Sequence, residues 1–226
     1  MDLSEAKRRL IEALRSEGIV KSEKVIRAFM KVPREEFIPR ELRRYAYLDQ
    51  PLRIGYGQTI SAPHMVLLMT EKLELDIGMK VLEVGAGSGY QAAIIAEIVA
   101  PTEEPREKWG HVYTVERIPE LAEFARRNLE RTGYADRVTV IVGDGSLGYP
   151  EAAPYDRIIV TAGAPKIPRP LIEQLKVGGR MVIPVGDVYS QTLLIVDKTE
   201  SGIKVKEDIP CIFVPLVGKE GWPSSY

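Results

Sequence analysis

Cysteine is nearly absent from this 226-residue chain, and the single one, Cys211, leaves no partner for an intrachain disulfide. It falls in the apolar stretch from Ile209 to Leu216, where a small core residue is expected rather than a nucleophile. Histidine is almost as scarce. His64 and His111 stand at no metal-ligand spacing, which leaves a structural zinc site and a Ser-His-Asp triad unsupported, so no metal is expected. Surplus charge of either sign is missing as well: 31 basic residues face 32 acidic ones, without the basic excess that usually marks a nucleic-acid binder, and no nucleic-acid partner is expected. No apolar run approaches the length of a membrane span, and the amphipathic, charged start lacks a signal-peptide core. A cytoplasmic monomer without a membrane partner is the expectation. Asparagine occurs once, at Asn128, beside abundant Glu, Lys and Arg and 16 prolines, a bias of proteins from hot environments.

The length suits one α/β domain with an extension. N-terminal helices and a covering segment are expected over residues 1–75, a ligand-binding core over 76–200, and terminal strands with a tail over 201–226. The core is organised around Val81-Leu82-Glu83-Val84-Gly85-Ala86-Gly87-Ser88-Gly89-Tyr90, a strand running into alternate glycines, followed by the helical apolar pattern Ala92, Ala93, Ile94, Ile95, Ile98, Val99. Glycines let a ligand approach the backbone, and free N–H groups at a helix start favour electron-rich ligand atoms. The dinucleotide fingerprint needs glycine at its sixth position, which here is Tyr90, and a phosphate loop needs Gly-Lys-Ser/Thr, which is absent. With Glu83 inside the strand, the E-V-G-A-G-S-G form favours S-adenosylmethionine over NAD.

Taken in order, residues 4–17 form an amphipathic helix stopped at Gly18, and Ser22 caps a second carrying Val25, Ile26, Phe29 and Met30 up to Pro33. Residues 33–63 are irregular, rich in Pro, Gly and Tyr, and long enough to suggest function. From the residues alone, Ser61 is favoured as the N-cap of the next helix with Pro63 in its first turn, and His64 as a ligand contact or a solvent-facing first-turn residue. Strands over 112–116 and 138–142 end in Glu116 and in Gly143-Asp144-Gly145. At the carboxyl ends of parallel strands, Glu116 can meet ribose hydroxyls and Asp144 an adenine amino group; an exposed strand end and an Asp turn are the plainer alternatives. The charged stretch 101–110 reads as a surface insertion. Strands at 156–162 and 180–185 flank a helix, and strands over 191–196 and 203–215 follow without long helices, so an antiparallel end to a parallel sheet is expected, as in a Rossmann-like class I methyltransferase.

Five segments carry a closer resemblance. Val32-Pro33-Arg34-Glu35-Glu36-Phe37-Ile38-Pro39, Gly57-Gln58-Thr59-Ile60-Ser61-Ala62-Pro63-His64-Met65, the glycine turn, Gly143-Asp144-Gly145 and Tyr155-Asp156-Arg157-Ile158-Ile159-Val160-Thr161-Ala162-Gly163-Ala164-Pro165 are similar to protein-L-isoaspartate (D-aspartate) O-methyltransferases. The glycine turn is common to many methyltransferases, whereas Q-T-I-S-A-P-H-M is specific. The resemblance implies methylation of the free α-carboxylate of an L-isoaspartyl or D-aspartyl residue in damaged proteins, with repair through a succinimide. It also implies S-adenosylmethionine as methyl donor, with S-adenosylhomocysteine as product, and Ser61 as the active-site serine in place of a mere cap. Cofactor contacts are expected from Glu83, Gly85, Gly87, Ser88, Glu116, Asp144, Gly145 and His64. Substrate contacts are expected from Ile54, Thr59, Ile60, Ser61, Thr161, Ala162 and Val214. The residues themselves favour a carboxylate acceptor over an amine: where amine methylases of nucleobases carry Asn/Asp-Pro-Pro-aromatic, this chain reads Thr161-Ala162-Gly163-Ala164-Pro165. A carboxylate with a pKa near 4 needs no general base at neutral pH.

Overall fold

The first two helical patterns fold as α1 (Leu3–Ser16) and α2 (Glu23–Lys31) in the computed structural model, which describes residues 2–225. Gly18, at φ +74°, follows the end of α1, and the Ser22 hydroxyl accepts a hydrogen bond from Val25 N at 3.4 Å as the cap of α2. The irregular segment then folds into two short 3-10 turns, a hairpin of β1 (Leu52–Gly55) and β2 (Gln58–Ile60), and α3 (Pro63–Leu73). No helix among the described residues is long and apolar enough to cross a membrane.

Beyond residue 79 strands and helices alternate, save that only two 3-10 turns separate β5 from β6: β3 (Lys80–Val84), α4 (Tyr90–Val99), β4 (His111–Glu116), α5 (Pro119–Thr132), β5 (Val138–Val142), β6 (Tyr155–Val160), α6 (Arg169–Gln174) and β7 (Leu175–Gly186), then β8 (Gln191–Thr199) and β9 (Gly202–Cys211). They form a seven-stranded sheet in the order β5-β4-β3-β6-β7-β8-β9, parallel from β5 to β7 and antiparallel from β7 to β9. This is the Rossmann-like α/β architecture expected, with its antiparallel C-terminal strands and N-terminal helical extension. Alternate residues divide between two apolar clusters, Ile159 and Val182 on one face, Ile158, Val160, Met181 and Ile183 on the other. All ten residues of α4 are buried, as a helix apolar on every side must be.

Two features of the topology create a ligand crevice. The chain leaves β3 for β4 on one side and returns to β6 on the other, so the carboxyl ends of β3 and β6 diverge at a topological switch point. After β9 the chain doubles back over this opening. Gly163 N donates to Val214 O and Leu216 N to Gly163 O, both at 2.8 Å, which lays residues 214–216 along the loop leaving β6.

Candidate active site

The turn after β3 is held from below and above. Gly85 N and Ala86 N both donate to Val115 O, at 2.9 and 3.3 Å, and the Thr161 hydroxyl donates to Gly85 O at 2.8 Å. Gly85 has φ +100°, and a Cβ there would stand 2.5 Å from the Thr161 Oγ1, so conformation and space each require glycine. Glu116, at the end of β4, accepts from Gly87 N and from Ile118 N, each at 3.0 Å. The carboxylate is thereby fixed against the turn it faces.

Around this turn lies a cleft of two adjoining lobes. The larger, about 550 Å³, is bounded by Gly85, Gly87, Glu116, Gly145, Ala162 and Val214. The smaller, about 430 Å³, is bounded by Ile60, Ser61, Glu83, Gly87, Ser88 and Tyr90. Thr59 and Thr161 border both. The cleft therefore brings together twelve of the fifteen residues singled out in the sequence, from segments more than a hundred positions apart.

The chemistry of the smaller lobe centres on Glu83. Its side chain is fully buried on β3 and neither carboxyl oxygen has a hydrogen-bond partner; Thr114, opposite on β4, has a hydroxyl that is likewise unpaired. Burial pushes the Glu83 carboxyl up to about 8, helped by the nearby Glu116 charge and opposed by Thr114. Two orphaned acceptors beside an open lobe call for a ligand with a cationic donor. The carboxylate of Glu116 and the close backbone at Gly85 and Gly87 provide acceptors and room for a nucleoside in the adjoining lobe. These groups fit a cofactor that carries both an ammonium group and ribose hydroxyls.

Ser61 borders this lobe, and its capping role is corrected by the structure. The N-cap of α3 is Ala62, whose side chain has no acceptor, and the second-position donor that a cap would serve, His64 N, donates instead to Asp49 Oδ1 at 2.9 Å. The Ser61 carbonyl is held instead, accepting at 2.8 Å from Nη2 of the buried Arg34.

The other three expected residues sit differently. Asp144 is absent from the residues bounding either lobe: its Oδ1 accepts from Ser146 N and Ser146 Oγ, at 2.9 and 2.6 Å, and its Oδ2 from Lys219 N at 2.7 Å. It ties the turn after β5 to the C-terminal tail, while neighbouring Gly145 borders the lobe. His64 is half-exposed and turned away to Asp49, its Nδ1 2.9 Å from the carboxylate. Ile54 backs the glycine turn, with its Cδ1 3.4 Å from where a Gly87 Cβ would stand. Cys211 is buried, and desolvation pushes its thiol up to about 11.

Two residues of the site were not anticipated as such. Arg34 lies in the V-P-R-E-E-F segment, whose sequence points to no chemistry of its own, and Tyr90 is the residue that breaks the dinucleotide fingerprint. Tyr90 opens α4, borders the smaller lobe and carries the Arg34 guanidinium 5.1 Å from its ring centroid.

Comparison with known proteins gives a consistent picture. The family model described as protein-L-isoaspartate (D-aspartate) O-methyltransferase matches residues 5–221. A protein-L-isoaspartate O-methyltransferase from Hyperthermus butylicus is 70% identical over 219 residues, covering 96% of this chain and 91% of its own. One from Staphylothermus marinus is 62% identical over 217 residues, with 96% of each chain covered. These relatives come from thermophiles, as the composition suggested for this chain. Among solved structures, a Plasmodium falciparum protein described as a protein-L-isoaspartate O-methyltransferase, in complex with S-adenosyl-L-homocysteine, superposes with a TM-score of 0.82 at 29% identity, over 92% of this chain and 97% of that one. A second, described as a protein-L-isoaspartate O-methyltransferase, gives 0.82 at 34% identity, over 95% of this chain and 67% of that one.

Proposed function

The chain belongs to the protein-L-isoaspartate (D-aspartate) O-methyltransferase family, and from that premise we propose how its own residues carry the activity. It is an S-adenosylmethionine-dependent methyltransferase that acts on isoaspartyl residues of damaged proteins. When bound, S-adenosylmethionine supplies an electrophilic methyl group on a sulfonium sulfur. Glu83 would hold the ammonium group of its methionine moiety and Glu116 its ribose hydroxyls, with Gly85, Gly87, Ser88 and Gly145 admitting the ligand at backbone distance. Asp144 would act on the adenine end through the turn at Gly145 and the tail that it fastens. His64 would act through the Asp49 contact, outside the cleft.

The acceptor side needs no base. An α-carboxylate is ionised at neutral pH, so its oxygen can form the new C–O bond as the C–S bond breaks and no proton has to move. Both charges vanish in that step. Groups that strongly stabilised the separated charges would slow the transfer, which suits an acceptor side formed by Ser61 of the smaller lobe, Ala162 and Val214 of the larger one, and Thr161 between them. The Ser61 hydroxyl orients the carboxylate; Ile54, Thr59 and Ile60 form the wall beside it. Alignment of this kind can supply up to roughly 7 to 11 kcal/mol. In the ester product the next peptide nitrogen attacks the activated carbonyl, its proton leaving with the methoxide as methanol, to give a succinimide, and hydrolysis returns part of that succinimide to normal aspartate. Small residues and main chain around the acceptor make sequence-tolerant protein substrates the natural class. The chain is proposed to work as a cytoplasmic monomer, a single methyltransferase domain.

The observation that carries this assignment is the meeting of Ser61 with the unpaired Glu83 carboxyl in one lobe at the glycine turn. Incubation with methyl-labelled cofactor and matched aspartyl and isoaspartyl peptides tests it: base-labile label on the isoaspartyl peptide alone is expected. Label on both peptides, or on neither, would overturn it. A D-aspartyl peptide in the same assay measures the second acceptor in the family's description.

A further inference from the structure

A fully buried guanidinium sits behind Ser61 and belongs to no ion pair among the described residues. Arg34 has 0% exposure. Its Nε donates to Ala46 O at 2.9 Å and its Nη2 to Ser61 O at 2.8 Å, while Nη1 has no partner. Its backbone N donates to the Tyr47 hydroxyl at 3.2 Å, which in turn donates to Glu35. The same guanidinium lies over the ring of Tyr90, the first residue of α4, and Phe37 packs edge-on against that ring at 5.6 Å.

These contacts add a directional polar bridge between two halves that otherwise meet through apolar packing and the Arg131–Glu36 pair. Tyr90 follows the glycine turn directly and so moves with the cofactor end of the cleft. Ser61 belongs to the irregular segment, which has no backbone pairing to the seven-stranded sheet. A planar fork that bonds two carbonyls while stacking on a ring fixes distance and angle together, as an ammonium on a flexible stem cannot. Removing a cation from water is expensive and is rarely justified by stability alone. Here the cation is spent on a single backbone geometry.

We propose that Arg34 is a positioning residue for methyl transfer, setting the Ser61 segment at a fixed distance from the glycine turn through its bridge between the Ser61 carbonyl and the Tyr90 ring. The inference rests on the role given to Ser61 above. A reacting group displaced by about 1 Å loses on the order of 100-fold in rate. Arg34→Gln is therefore expected to lower kcat with an isoaspartyl peptide by about that factor while the Kd of S-adenosylhomocysteine changes less than about threefold, since the glycine turn is anchored independently on Val115.

The test is a double-mutant cycle of Arg34→Gln and Ser61→Ala, read as kcat and as S-adenosylhomocysteine affinity by calorimetry, with folding followed by circular dichroism. If Arg34 acts through Ser61, the double variant is no slower than the slower single variant. Losses that multiply, or a fall in cofactor affinity as large as the fall in kcat, overturn the proposal. Arg34→Lys keeps the charge without the fork; continued impairment supports the bridge, and full rescue overturns it. Should Arg34→Gln fail to fold, the cycle is run with Arg34→Lys and judged by the same criteria. The two readings fail separately: normal turnover in Ser61→Ala removes the role of that hydroxyl, whereas a slow Ser61→Ala with multiplying losses removes only the role of Arg34.

Discussion

Replacing Glu83 by glutamine should stabilise the ligand-free protein and cripple cofactor binding, in opposite and separately measurable directions. The carboxyl titrates at about 8 in the folded protein, raised chiefly by desolvation from its ordinary value of 4.5. The sign follows from proton binding. Between these values the folded state holds a proton that the unfolded state has released, so stability is highest below about pH 4.5 and falls as pH rises toward 8, levelling off above it. At about 1.4 kcal/mol per unit, the group costs roughly 3 kcal/mol at pH 7 and roughly 5 kcal/mol above pH 8. Glutamine has the shape of the neutral acid and does not titrate. Denaturation curves of Glu83→Gln and the parent protein without ligand should therefore meet near pH 4.5 and diverge as pH rises, with a gain in Tm at pH 7 of roughly 6 to 12 °C for a domain of this size. Loss of a charge-assisted hydrogen bond should weaken S-adenosylhomocysteine about 10- to 150-fold, and binding to the parent protein at pH 6 should release close to one proton. Stability curves that stay parallel across this pH range, or unchanged affinity in the variant, would refute the reasoning.

Ser61→Ala should lower turnover with Tm nearly unchanged, because no capping bond is lost; a fall in stability of about 1 kcal/mol with normal turnover would restore the capping role. Gly85→Ala forces a Cβ to within 2.5 Å of the Thr161 hydroxyl at a φ of +100°, so urea denaturation should show a loss of about 1 to 3 kcal/mol and calorimetry a loss of cofactor binding. Glu116→Ala should weaken the cofactor more than Asp144→Ala does, since Glu116 borders the cleft and holds Gly87 N, whereas Asp144 bonds Ser146 and Lys219. Hydrogen exchange should accelerate at residues 217–221 in Asp144→Ala and stay unchanged there in Glu116→Ala.

The half of the candidate site around the glycine turn is legible because its signals are local. Alternation of strand and helix patterns, glycines at alternate positions and acidic residues at strand ends each span fewer than ten residues, and parallel pairing places those strand ends together. Asp144 shows where local reading stops. An acidic residue at a strand end looks the same whether its oxygens face a ligand or a returning tail, and it is a segment 75 positions away, at Lys219, that decides. The capping reading of Ser61 fails for a related reason: Ser-x-Pro before a helix fits a cap, but the structure starts the helix one residue later, at an Ala62 cap, and Ser61 borders the cleft.

The acceptor half is harder to read because of the reaction it serves. A carboxylate needs neither a base to ionise it nor a nucleophile to activate it, so no residue type with distinctive chemistry is required there. What the step requires is placement, and the groups proposed above to supply it are mostly main chain common to all sequences, the carbonyls of Ala46 and Ser61 and the main chain of Val214 laid against Gly163, with only small side chains at 161 and 162. The one chemically conspicuous group, the Arg34 guanidinium, is buried out of the reaction's reach and spends its donors on main chain. An enzyme that works by alignment thus keeps its distinctive residues behind the wall of its site, where a motif records them and only a structure shows what they hold.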